Sequence, residues 1–292
     1  MSPRASSTFA RLLGPAAVAF VLVALLGASG GAPSTDPTLP APEDLLPRLR
    51  DSLRANADLF GPYRFRQRIT SRERDPDGAV TRTTVREYEV RPNAWGAPAE
   101  WVLLRVNGTR VPRARIEQGR AKNRERWNVS PEKLARLRRQ AAAEQAEIEE
   151  AIDEVFRIVE VRVVGRATQA GRSAIEIAFE PRPELDAKTS FGKIFHKARG
   201  RVWVDEADGQ LVRFEGEAFD TIVYGWGVVA RVHAGTRLVL ERRLVDDEVW
   251  LPASYHLRGS ARMLLFKVNR FDRQSEFFEY ERTDAAATDA VR

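Results

Sequence analysis

The chain has 292 residues, of which 43% are hydrophobic and 30% charged, and its formal net charge is +6. This is the composition of a globular protein long enough to bury a core, so disorder throughout the chain is excluded. Cysteine is absent, which excludes disulfides, thiol catalysis, thiolate metal sites and a lipid attached to cysteine.

Residues 1–32 have the order of a secretory signal peptide. Arg4 and Arg11 accompany an apolar run, Leu12 to Leu26, and small residues follow it. The run has about 15 residues, shorter than the roughly 20 of a spanning helix. We therefore expect cleavage near Gly30 and an exported, periplasmic or extracellular protein; an uncleaved membrane anchor is the alternative.

A proline-rich linker, residues 33–43, precedes one predicted domain at 44–283, and the Ala- and Asp-rich residues 284–292 are expected to form a disordered tail. The domain begins with a short amphipathic helix over 44–59. Its apolar side chains recur at three- and four-residue spacing, so one face should dock on a sheet. These side chains are Leu45, Leu46, Leu49 and Leu53.

The stretch 63–90 is typical of a β-hairpin whose loop is Asp75-Pro-Asp-Gly78. Alternation along both strands predicts one charged face and one apolar face. The expected pairs are Arg66 with Glu87 on the charged face and Phe65 with Tyr88 on the apolar face.

The segment 113–154 is predicted to be a charged helical insertion. Twelve basic and three acidic residues lie between Arg105 and Arg139, and six acidic residues with no basic one follow between 144 and 154. Ser130 followed by Pro131 is typical of a helix start, and apolar residues then continue at helical spacing. The basic side chains Arg136, Arg138 and Arg139 are candidates for binding an envelope protein or an anionic membrane surface; a solvated helix face is the alternative.

The remaining residues to 282 read as consecutive strands with short turns, which predicts an antiparallel meander. In the hairpin 200–216, Gly209 is expected to close the loop in the left-handed conformation. The expected apolar pairs are Val202 with Phe214 and Val204 with Val212, and the expected outer pairs are Arg201 with Glu215 and Trp203 with Arg213.

No residue pattern carries catalysis or a metal site. Ser130-x-x-Lys133 has the spacing of penicillin-binding enzymes, but helix capping explains the serine. The three histidines, His196, His233 and His256, are far apart and not in metal spacing. We predict a non-enzymatic protein with no metal and no cofactor, and the signal peptide argues against a nucleic-acid partner.

Three segments carry a resemblance to the periplasmic lipoprotein-sorting and lipoprotein-carrier (LolA-like) family. They are Tyr63-Arg-Phe-Arg-Gln-Arg-Ile69, then Gly200-Arg-Val-Trp-Val-Asp205 with Leu211-Val-Arg-Phe-Glu215, and Glu248-Val-Trp-Leu-Pro252. The resemblance implies a half-open antiparallel β-barrel with helices over its mouth and an apolar concave face that holds acyl chains. The insertion 113–154 departs from the family pattern, and no carrier functional position maps onto this chain.

The resulting fold prediction is α+β, mostly β: a half-open antiparallel β-barrel of about ten or eleven strands covered by one long and one short helix. The predicted function is an exported binding protein for a lipid, a lipoprotein acyl chain or another apolar ligand. Its expected lining is Phe65, Tyr88, Val202, Val204, Val212 and Phe214. Two alternatives stay open: a core filled by the helices, and an envelope regulatory or assembly protein that uses the barrel as a scaffold and the charged helix to bind protein.

Overall fold

A computed structural model describes residues 38–59, 63–75, 77–91, 100–127, 130–224, 230–263 and 267–283. The predicted signal peptide, most of the linker and the C-terminal tail lie outside these ranges. The described helices are α1 (Pro42–Leu59), α2 (Arg113–Trp127), α3 (Pro131–Ile158) and α4 (Ser190–Phe195). No helix in these ranges is both long and apolar enough to cross a membrane.

The strands form one antiparallel sheet. They are β1 (Tyr63–Arg74), β2 (Val80–Arg91), β3 (Glu100–Val106), β4 (Thr109–Arg110), β5 (Val159–Gln169), β6 (Arg172–Pro181), β7 (Ala198–Asp205), β8 (Leu211–Ala218), β9 (Ile222–Tyr224), β10 (Ala230–Val232), β11 (Arg237–Val245), β12 (Val249–Met263) and β13 (Lys267–Arg282). Their order is β4-β3-β2-β1-β13-β12-β11-β8-β7-β6-β5, with β10 paired to β12 and β9. The two ends do not meet, so the predicted half-open barrel is confirmed.

The element count differs from the prediction. The described residues contain thirteen strands and four helices rather than ten or eleven strands and two helices. Three strands were expected between 248 and 282, and the structure has two long ones, β12 and β13. The predicted break at Gly259 is absent because β12 continues through this residue. Thr236 packs against Gly259 in the space that a Cβ would occupy, so glycine is needed there for close packing.

The β7–β8 hairpin keeps the predicted register over most of its length. Val202 lies opposite Phe214, and both outer pairs are as expected. Val204, however, lies opposite Leu211 and not Val212, because the register shifts after Trp203. The loop is also longer than predicted, since the Asp205 N–H donates to the Gln210 carbonyl at 2.8 Å. Gly209 does adopt the left-handed conformation, with φ +65°.

The β1–β2 register is offset by two residues from the prediction. Phe65 lies opposite Val90, and Arg66 lies opposite Glu89. The loop takes in Ala79, whose N–H donates to the Asp75 side chain at 2.8 Å. Because side chains alternate with a period of two, this offset leaves each one on its predicted face.

Helices cover the apolar face of the sheet. One continuous cluster joins leucines of α1, aliphatic residues at the end of α3 and two phenylalanines of α4 to the apolar side chains of β5 to β8, β1, β2 and β11 to β13. Its helical members are Leu45, Leu46, Leu49, Leu53, Ala151, Ile152, Val155, Ile158, Phe191 and Phe195. The concave face is therefore filled by helices in this conformation, as the first alternative anticipated.

Candidate functional site

The predicted lining residues lie mainly in the helix-covered core. Val202 and Val204 are fully buried. Phe214 stacks on Phe179 with ring centroids 5.8 Å apart and lies 6.5 Å from Phe195 of α4. The contact with Phe195 places Phe214 beneath α4, and all three residues belong to the helix-covered core cluster.

Of the other predicted lining residues, Phe65 belongs to the same core cluster, Tyr88 packs against that cluster and Val212 lies outside it. Phe65 packs on Phe277 and Tyr280, at centroid distances of 5.7 and 5.3 Å. Tyr88 is half-buried against Trp101, and burial raises the pKa of its hydroxyl. Val212 is buried but lies outside the main cluster, whereas its neighbour Leu211 belongs to it.

A cavity of about 280 Å³ opens beside the first turns of α1. Leu45 and Ile175 line it, and both belong to the main core cluster. At this cavity, residues of the apolar core are therefore reached from outside. Its complete lining is Thr38, Leu39, Pro40, Leu45, Arg48, Ile175 and Glu206.

Among the described residues, the hydrogen bonds of α1 to the sheet converge on the β7–β8 loop. Ser52 Oγ donates to the Gly209 carbonyl at 2.6 Å, and Gln210 Nε2 donates to the Ser52 carbonyl at 2.6 Å. Arg48 makes longer contacts of 3.3 and 3.4 Å to the carbonyls of Glu206 and Ala207. The loop is thus the docking point of the helix that borders the cavity.

The Asp205 side chain stabilises the conformation of this loop. Its carboxylate accepts from Arg172 Nε at 2.6 Å and from the N–H groups of Ala207 and Asp208 at 3.0 and 2.9 Å. Burial would raise the pKa of Asp205, but the guanidinium and the N–H donors outweigh burial and hold that pKa below its usual value. The loop conformation therefore depends on an ionised Asp205.

The buried guanidinium of Arg242, in β11, connects the β7–β8 loop to the neighbouring strands. Arg242 donates to Gln210 Oε1 and the Leu211 carbonyl at 3.3 Å each, and to the Trp250 carbonyl at 2.6 Å. Complete burial lowers the pKa of Arg242 to about 9, so the group stays charged at neutral pH. Nothing in the sequence pattern indicated this residue, because β-strand arginines usually face solvent.

Glu154 holds α4 in place over Phe214. It lies in α3 and accepts from the N–H groups of Lys188 and Thr189 at 2.5 and 2.8 Å. Thr189 in turn caps α4 by accepting from the Gly192 N–H at 2.9 Å. Burial would raise the pKa of Glu154, but these donors lower it overall. The segment before α4 is thereby tied to α3.

The charged half of α3 lies away from the core. Every residue between 130 and 150 whose side-chain exposure the structure describes is exposed, including Arg136 and Arg139; the side chain of Arg138 lies outside the description. Buried residues of α3 begin at Ala151. Ser130 Oγ accepts from the Lys133 N–H at 3.4 Å, so the helix cap explains this serine.

The histidines form two polar pairs that sequence spacing did not reveal. His233 Nδ1 lies 2.9 Å from Ser260 Oγ, and His256 Nε2 lies 2.8 Å from Asp272 Oδ1. The first pair joins the residue after β10 to β12, and the second joins the consecutive strands β12 and β13. Within the described ranges no carboxylate bonds to His233, and no group of three or more histidine and acidic side chains could hold a metal.

Comparison with solved structures returns proteins of the family that the sequence resembles. A lipoprotein-sorting protein domain from Vibrio parahaemolyticus is 8% identical, with 83% of this chain and 90% of that chain covered and a TM-score of 0.29. A LolA superfamily protein from Nitrosomonas europaea is also 8% identical, with 80% and 93% covered and a TM-score of 0.28. The neighbours include LolA-like proteins.

A third neighbour is MucB from Pseudomonas aeruginosa, solved in complex with MucA. It is 11% identical, with 80% of this chain and 98% of that chain covered and a TM-score of 0.19. No family model matches the sequence, and no curated protein matches it. Since all three TM-scores lie below 0.5, the function proposed below rests on the geometry of this chain.

Proposed function

We propose that the protein is an exported, non-enzymatic binding protein of the cell envelope that holds a lipid, a lipoprotein acyl chain or another apolar ligand against the concave face of the half-barrel. The observation that carries the proposal is the cavity beside α1, where core residues Leu45 and Ile175 line a space open to the outside. An acyl chain entering there would meet the apolar side of the sheet first.

The size of the cavity implies that α1 moves when the ligand binds. Pockets for drug-sized ligands measure roughly 300–1,000 Å³, and the cavity of about 280 Å³ falls short of this range. It would admit the end of an acyl chain, and the rest would take the place of the α1 leucines. Val202 and Val204, which belong to the same core cluster as these leucines, would then form part of the lining, whereas Phe214 would stay covered by α4.

The free energies on the two sides of this exchange are similar. The four buried leucines of α1 contribute roughly 6–12 kcal/mol at about 1.5–3 kcal/mol each. A sixteen-carbon chain gains roughly 12 kcal/mol at about 0.8 kcal/mol per buried methylene. A long acyl chain can therefore offset the displacement of α1, whereas a short one cannot.

Titration with cis-parinaric acid tests the proposal on the protein beginning at residue 33. Saturable binding of one fatty acid per chain is expected, and mass spectrometry of the purified protein should detect co-purified lipid. Leu39→Asp, in the cavity wall, should weaken binding at least about tenfold because it places a charge beside the acyl chain. The matched control is Val223→Asp, at an apolar side chain that is 41% exposed elsewhere on the surface. Equal affinity of the two variants, or no saturable binding at all, would contradict the proposal.

The second candidate is an envelope regulatory or assembly protein whose α3 binds another protein. The exposed half of α3 favours it: about 20 residues extend roughly 30 Å, at about 1.5 Å per residue, beyond the buried end. Arg136, Arg138 and Arg139 lie in the basic part of this half, and Glu147, Glu149 and Glu150 in its acidic part. Such a surface suits a partner with complementary charge.

A further inference from the structure

A second and larger cavity lies on the outer face of the sheet, opposite α1, α3 and α4. Its volume is about 450 Å³, within the range typical of small-molecule sites. It lies between β1 to β4 and helix α2, which packs on β3. Its lining is Arg66, Glu87, Glu89, Leu104, Arg105, Arg110, Arg113, Ile116, Glu117 and Arg120.

The lining has an excess of positive charge. It contains five arginines and three glutamates, a net of two positive charges. Each carboxylate is already engaged: Glu87 by Arg68 at 2.9 Å and Arg105 at 3.5 Å, Glu89 by Arg91 at 2.9 Å and Arg120 at 3.2 Å, and Glu117 by Arg120 at 3.1 Å. Arg66 is paired with Glu279, outside the cavity, at 2.8 Å.

Two of the five guanidinium groups in the lining form no ion pair with the described residues. Within the described ranges, Arg110 and Arg113 have no carboxylate oxygen within 4.0 Å. Both side chains are exposed, and both border the cavity. Two uncompensated guanidinium groups facing one space provide a match for an anion with two or more acceptor oxygens.

The start of α2 adds to the positive potential. Its first turn holds no acidic residue and begins with Arg113, so charge and helix dipole oppose each other there. The preceding residue, Pro112, has no side-chain acceptor for the first N–H groups. A bound anion would offset the repulsion between the Arg113 charge and the positive end of the helix dipole.

The cavity also has an apolar wall. Leu104 and Ile116 line it, and Ile116 is only 8% exposed. The ligand that fits is thus an anion joined to a small apolar or neutral group. We infer that this cavity binds a phosphate ester, as found in a glycerophosphate or in a phospholipid headgroup. The inference does not depend on acyl-chain binding at the concave face.

Two binding measurements distinguish the sources of the phosphate ester. Isothermal titration with glycerol 3-phosphate tests the free ester, and co-sedimentation with phosphatidylglycerol vesicles, compared with phosphatidylcholine vesicles, tests the headgroup. Binding in either assay supports the site, provided that it depends on Arg110 and Arg113. Absence of binding in both assays overturns it.

Matched variants test that dependence. Arg110→Gln with Arg113→Gln should weaken binding at least about tenfold, because both uncompensated charges are removed. Arg115→Gln with Arg124→Gln removes the same charge from exposed positions of α2 that do not line the cavity, and affinity should change less than about twofold. Equal loss in both pairs would show general charge attraction and overturn the site. Thermal unfolding checks that each variant is folded, and Arg110→Gln alone serves as the test if the double variant unfolds.

Discussion

The carboxylate of Asp205, at the end of β7, connects this strand to β6 and to the β7–β8 loop. It accepts from Arg172 of β6 and from two N–H groups of the loop on which α1 rests. Its side chain is 1% exposed, whereas that of Arg172 is 36% exposed. The position of α1 therefore depends on a buried charge whose partner lies near solvent.

Asp205→Asn should lower the free energy of unfolding at pH 7 by about 2 kcal/mol, a value reduced for the solvent exposure of Arg172. The pKa of Asp205 is held below its usual value in the folded protein. Its stabilisation is accordingly present above the unfolded pKa of about 3.9 and is lost as pH falls through the lower folded pKa. Urea unfolding between pH 7 and pH 3 should show the difference between wild type and variant shrinking below about pH 4.

The control for this prediction is Asp77→Asn, at an exposed turn position, which should leave stability nearly unchanged. A difference between wild type and Asp205→Asn that stays constant down to pH 3 would contradict the prediction. So would an equal loss in the control variant.

Single residues were predictable where the cause is local. Gly209 could be assigned a left-handed conformation because a three-residue or longer hairpin loop requires it, and Ser130 could be assigned as a cap. The pairing of Asp205 with Arg172 spans 33 residues and follows from strand register, which no local pattern reveals. Arg242 was missed for the same reason.

At the scale of elements, alternation predicted both hairpins and the faces of their side chains. It did not predict the bulge at Val204 or the two-residue offset of β1 on β2, since these depend on loop hydrogen bonds. The short helix α4 was also missed, because six residues carry too little periodicity. Its position depends on Glu154, an acidic residue that looks solvated in the sequence.

Helix α3 allows a test of the second candidate function. Charge reversal by Arg136→Glu, Arg138→Glu and Arg139→Glu should abolish recovery of a partner from envelope extracts if α3 is the binding surface. The matched control is Arg162→Glu, Arg199→Glu and Arg231→Glu, at exposed positions on strands. Pull-down with mass spectrometry measures recovery, and unchanged recovery with the α3 variant removes this candidate.

At the scale of the whole molecule, strand spacing and alternation predicted one antiparallel sheet with an apolar side, and the resemblance to the LolA-like family implied that the sheet is half-open. They could not show that helices fill the concave face, because the same alternating pattern serves a cavity and a packed core. The cavity beside α1 arises where residues 38–48 meet Ile175 and Glu206, which are distant in sequence. The site therefore depends on packing that one-dimensional patterns do not contain.

We propose that α1 must leave the sheet for an apolar ligand to bind. The chain lacks cysteine, and a Cβ at Gly209 would lie 3.5 Å from Arg48 Cβ, within the roughly 3.5–4.5 Å of disulfides. Arg48→Cys with Gly209→Cys should therefore form a disulfide that locks α1 to the β7–β8 loop. Cysteine at the left-handed position costs about 1–2 kcal/mol, so Gly209→Cys alone is the reference variant.

The most direct measurement is cis-parinaric acid binding by the double variant, oxidised and then reduced. We predict that the oxidised form binds at least about tenfold more weakly than the reduced form, and that the reduced form matches the Gly209→Cys reference. Equal binding by the oxidised and reduced forms would contradict the claim that the ligand takes the place of α1.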